Sequence, residues 1–145
     1  MNSSAFFSAG MDYYQLQHYE KAKEYFEKAY GTTQEKIITD SLNYHLYFNL
    51  SWYSLFASKP QEAITAAKKA LELAPDKTSA YTNLVSGYVL NNEYEKAKPI
   101  YLKWKDMHFP NEERLCKEVF LQDIKDLKES GISHEDFNKV IELLK

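Results

Sequence analysis

Apolar residues recur at helical spacing along nearly the whole chain, and four glycines and four prolines leave few interruptions. This periodicity predicts an all-α protein with little room for strands. The densest apolar stretch is YHLYFNLSWYSLF, residues 44–56, with rings at Tyr44, Tyr47, Phe48, Trp52, Tyr53 and Phe56. An amphipathic helix needs an apolar stripe only a little wider than about 100°. This helix is therefore either buried on all sides or has a second face reserved for another task.

The helical pattern also repeats. YYQLQHYEKAKEYFEKAY (13–30) and YVLNNEYEKAKPIYLKW (88–104) share one frame: Tyr13, Tyr19, Ala22, Phe26 and Ala29 correspond to Tyr88, Tyr94, Ala97, Tyr101 and Trp104. A third copy lies between them, with Ser54, Pro60, Ala63, Ala67, Ala70 and Pro75. Ala97 follows Ala63 by 34 positions, and Ala63 follows Ala22 by 41. The pattern resembles the tetratricopeptide repeat family, whose unit is a helix pair of about 34 residues. Small residues in such a unit let the two helices approach, and large ones fill the space beside them.

The resemblance implies an α-α superhelix: repeat 1 over residues 3–36, repeat 2 over 37–77, repeat 3 over 78–110, and a two-helix C-terminal cap over 111–145. The seven extra residues within GTTQEKIITDSLN are expected to lengthen the second helix A backwards. Pro99 is expected to kink the third helix B, because proline removes a helical hydrogen bond. In the cap, Leu115, Cys116, Val119, Phe120, Ile124 and Leu127 form one apolar stripe, and Phe137, Val140, Ile141 and Leu144 another. Gly131 reads as a helix terminator, with Ser133 and Asp136 as a variant capping box for the last helix. A solenoid exposes apolar surface at its ends, so these two helices serve as its lid. The stretch FLQDIKDLKESGISHEDFNKVIELL is also similar to a tail of bacterial multi-repeat proteins of this family.

In this family helices A line the concave groove. The resemblance turns Phe48, Trp52 and Phe56 toward it, with Phe7, Met11 and Gln15 as counterparts on the first helix A and Thr82, Ser86 and Leu90 on the third. Asn49 and Asn83 occupy equivalent groove positions, where an amide offers a peptide both donor and acceptor. Exposed aromatic surface marks binding sites. The expected site is thus Phe7, Met11, Phe48, Asn49, Trp52, Asn83 and Ser86, receiving a peptide or protein partner. The structural alternative is a groove filled by the chain's own C-terminal helix or by a second copy, the latter predicting a homo-oligomer. Family members that hold acidic chaperone tails use Lys, Asn and Arg at positions that here are Phe7, Met11, Asn49, Ser79 and Asn83. Only Asn49 fits, which argues against that ligand.

Composition narrows the chemistry. The chain of 145 residues carries 18 basic and 21 acidic residues, net −3, and Arg114 is its single arginine. This speaks against a phosphate-reading surface. The lysines interleaved with Tyr94, Tyr101 and Trp104 read as a solvated face rather than a nucleic-acid platform. His18, His45, His108 and His134 lack metal spacing, and no catalytic or cofactor motif is visible. Cys116 falls on an apolar stripe, where it reads as a buried small hydrophobe. No stretch approaches the roughly 18 apolar residues of a membrane span. The N-terminal residues do not read as a secretory signal. A single cysteine forms no internal disulfide and requires no oxidising compartment, so the expected location is the cytoplasm.

Overall fold

The structure, a computed structural model, describes residues 2–145. Among these residues it is all-helical: α1 (Ser3–Gln15), α2 (Tyr19–Thr39), α3 (Tyr44–Phe56), α4 (Pro60–Leu73), α5 (Tyr81–Leu90), α6 (Tyr94–Trp104), α7 (Cys116–Glu129) and α8 (Phe137–Leu143). A single 3₁₀ turn, Thr78–Ala80, leads into α5. The first six helices form three antiparallel hairpins, α1–α2, α3–α4 and α5–α6, stacked through α2–α3 and α4–α5 contacts.

The three hairpins share one turn. Three linker residues separate each first helix from its partner, and the middle one is left-handed: Gln17 (φ 63), Ser58 (φ 59) and Asn92 (φ 62). The following N–H returns to a carbonyl five residues back, as His18 to Tyr13, Lys59 to Ser54 and Glu93 to Tyr88. This is a Schellman closure, a position where glycine is usual. A side chain there costs about 1–2 kcal/mol, less for asparagine. We therefore expect Gln17→Gly and Ser58→Gly each to stabilise the chain by about 0.5–1 kcal/mol in denaturant titration, and Asn92→Gly by less.

Small residues sit where helices approach most closely. A Cβ on Gly10 would lie 2.6 Å from the Phe26 ring, so α1 rests directly on α2. In α4 the stripe Ala63, Ala66, Ala67 and Ala70 is buried. Between the first two hairpins, Phe7, Phe26 and Phe56 form an aromatic cluster with centroids 4.8–5.8 Å apart.

Two local expectations need correction. The extra residues of the 41-residue spacing lengthen α2 to 21 residues, whereas α3 has the same 13 as α1. Gly31 does not stop α2. The stop comes at Asp40, and Asn43 opens α3 by accepting from the His45 N–H at 2.9 Å. The last helix has no Ser133–Asp136 capping box: its N-cap Asp136 makes no side-chain capping bond, and the Asp136 N–H donates to the His134 ring instead. α6 runs on through Pro99, which lies on its exposed face. Water can there replace the hydrogen bond that proline removes.

α7 packs on α5 and α6, and α8 packs on α6. Glu118 caps the start of α7, its carboxylate accepting from the Leu115 N–H at 2.7 Å. Phe120 meets Tyr101 edge-on at 4.9 Å, and Phe109 bridges it to Trp104. The far end of α7 reaches α1, where Ser130 Oγ lies 3.0 Å from Met11 Sδ. Gly131 ends the helix at φ 82, and a Cβ there would run into the Tyr14 ring. α7 thus passes from the third hairpin to the first across the side formed by α1, α3 and α5.

Candidate functional site

Because α7 crosses the helices α1, α3 and α5, it divides their shared face. What stays open is a cavity of about 300 Å³ between α3, α5, the 109–112 loop and the first half of α7. Phe48 and Trp52 form one wall, Phe109 and Val119 another, and Asp123 and Glu112 bring carboxylates to it. This volume lies at the lower end of the range for ligand pockets.

The residues nominated from sequence divide into three groups. Phe48 and Trp52 are half-buried and line the cavity, while Asn49 is exposed on the same helix. Trp52 is held by an edge contact with Phe56 at 4.7 Å. Phe7 is half-buried within the aromatic cluster, and Met11 is half-buried beneath Ser130. Asn83 and Ser86 are each only 2% exposed. The Asn83 amide donates to Ser51 Oγ at 2.8 Å and to the Phe48 carbonyl at 3.3 Å, tying α5 to α3. That amide stabilises the packing of two repeats and has no donor left over for a ligand. Phe56, the third ring of the aromatic series, is buried at 3% exposure.

The sequence reading overlooked the far side of the cavity, which comes from the segment read as a lid. Its signal was present. Asp123 stands between Phe120 and Leu127 on the helical face that buries Phe120, Ile124 and Leu127. A charged residue on an intended core stripe is an error of patterning unless it has a function.

The two carboxylates differ in state. Arg114 grips Glu112 through two bonds of 3.0 Å, which holds that carboxyl down to about 2. Among the described residues Asp123 makes no hydrogen bond or ion pair, and its oxygens are not sealed from the cavity. Burial pushes its carboxyl up to about 7; Asp126 adds to the rise and Arg114 opposes it. Cys116, the lone thiol, is buried and pushed up to about 11, also by burial. Among the described residues no group of His, Cys, Asp and Glu is arranged to hold a metal, and no helix is long and apolar enough to cross a membrane.

Stacked helical hairpins with a shared face define this molecule as a short helical-repeat protein. Residues 3–35 and 44–77 match the family model of the tetratricopeptide repeat, and the chain is a tetratricopeptide repeat protein. Repeats of this family generally mediate protein–protein interaction, typically as non-enzymatic scaffolds. No curated protein matches the chain. The third hairpin lies outside the matched residues but has the same left-handed turn as the other two.

Proposed function

We propose that this protein is a non-enzymatic interaction module that receives a peptide or protein partner on its concave face, at the cavity beside Phe48, Asn49 and Trp52. The observation that carries the reading is the pair of half-buried rings, Phe48 and Trp52, lining a cavity that the chain's own helices leave open. Aromatic side chains supply contact area at low entropic cost and are frequent energetic anchors of interfaces. Asn49, exposed on the same helix, is available to pair with a partner's backbone.

The test is photocrosslinking in the source cells, with benzoylphenylalanine at Asn49 or, as a control at an exposed position of α4, at Glu72. The reading expects a discrete adduct from Asn49 that is lost in Trp52→Ala, and none from Glu72. Equal labelling from both positions, or an Asn49 adduct indifferent to Trp52, would sink it. The assembly alternative is favoured by one observation, the Ser130–Met11 contact, through which α7 already occupies part of this face. In that case the groove is filled from within the chain and Asn49 gives no intermolecular adduct, whereas filling by a second copy would give an adduct of twice the chain's mass that contains only this protein.

A further inference from the structure

The cavity has an apolar wall and a carboxylate with no partner, and those two features together specify a ligand chemistry. Apolar side chains alone would suffice to hold a leucine or phenylalanine, and Asp123 would then be buried further without compensation. Covering an unpaired carboxylate with an apolar group costs free energy, whereas pairing it with a cation recovers it. A charge-assisted hydrogen bond in a partly desolvated site is also stronger than a neutral one.

We infer that the cavity takes a single basic side chain of the partner, arginine in preference to lysine, with its charged head at Asp123 and its flank against Phe48 and Trp52. The inference rests on the interaction reading above and specifies the anchor of that same site. Arginine is preferred because its planar guanidinium both stacks on aromatic faces and meets a carboxylate with two parallel donors. The chain displays that pairing itself: Arg114 holds Glu112 in this bidentate way at the cavity's rim. With Glu112 so neutralised, Asp123 is the carboxylate of the cavity free to meet an incoming cation.

Among the described residues the surroundings of Asp123 add no competing cation at contact distance. Asp126 on its own helix is acidic, Tyr101 on α6 is held neutral by burial, and Arg114 acts on Asp123 only at a distance. From α3 and α5 the cavity receives neutral groups, among them Trp52, Thr82 and Asn83. A bound cation should draw the Asp123 proton off, so binding should strengthen as pH rises through 7.

The test uses arrayed hexapeptide pools, each fixed at a central position to arginine, lysine, norleucine, phenylalanine or glutamate and randomised elsewhere. Binding of the full chain is read at pH 6 and pH 8, with Asp123→Asn and Trp52→Ala run alongside. Asp123→Asn removes the charge with almost no change in shape. Arginine pools should exceed norleucine pools by about tenfold at pH 8, lysine pools should fall between, and the preference should shrink at pH 6. In Asp123→Asn the arginine advantage should vanish while Trp52-dependent binding persists. If norleucine or phenylalanine pools win, or if Asp123→Asn leaves the ranking unchanged, the basic anchor is refuted and the interaction site stands. If no pool exceeds the Trp52→Ala background, the inference and the site both fall.

Discussion

Replacing Phe120 with alanine is expected to lower stability by about 3–5 kcal/mol and to make Cys116 reactive toward a thiol reagent. The ring is 2% exposed and packed edge-on against both Tyr101 and Phe109. Removing it opens a cavity where α7 meets the third hairpin, and large-to-small changes at such sites cost this much. Domains of this size hold only about 5–15 kcal/mol in total, so the loss should be plain in a urea titration. The thiol supplies a local reading of the same event. Cys116 begins α7, is fully buried, and its backbone N–H is bonded to the Met107 carbonyl at 2.8 Å. Undocking of α7 would expose it and let it ionise more readily. A midpoint unchanged from the parent, with Cys116 still unreactive, would mean that α7 contributes little to holding the hairpins.

The hairpins were legible in the sequence because their determinants are local or nearly so. Ala22, Phe26 and Ala29, and likewise Ala63, Ala67 and Ala70, recur at helical spacing, and that spacing alone reveals the buried face. On the aromatic helix Phe48 and Trp52 line the cavity, while Phe56, one turn further on, lies in the core. The extra residues lengthen α2 and not α3, although the segment that holds them begins with Gly31, a weak helix former. In the folded chain a Cβ on Gly31 would touch nothing within 4 Å, so the helix simply continues to Thr39. Asn83 and Ser86 illustrate a different limit. Their helical phase gives the side of α5 they occupy, but their burial depends on distant elements, with Ser51 lying 32 positions away from Asn83. Which face a residue points to is written within about two turns of helix. What covers that face is a tertiary fact, and α7 arrives only after an intervening loop. The one visible hint of it was Asp123, an acidic residue on an apolar stripe.

Asp123 is also expected to make the free protein less stable at neutral pH than in mild acid, and Asp123→Asn should remove that dependence. Its carboxyl stands at about 7 in the folded chain against an ordinary value of 3.8. Between those two values the folded state holds a proton that the unfolded state has released. Stability therefore falls as pH rises from about 4 to about 7, and the full cost is present above that. A rise of this size sets a ceiling of about 4 kcal/mol, and because the carboxylate faces an open cavity we expect about 2 kcal/mol. The asparagine variant should thus gain about that much at pH 8 and almost nothing at pH 4. Glu112 acts with the opposite sign, since Arg114 holds it low and its contribution is lost only as pH falls toward 2. The difference between parent and Asp123→Asn, measured between pH 5 and 8, therefore isolates Asp123. A flat difference between parent and variant across that range would show that the carboxylate is well solvated and carries no strain. The expected slope would mean that the fold keeps, at a cost to itself, a charge that asparagine could replace. Such a penalty is characteristic of groups retained for binding rather than for stability.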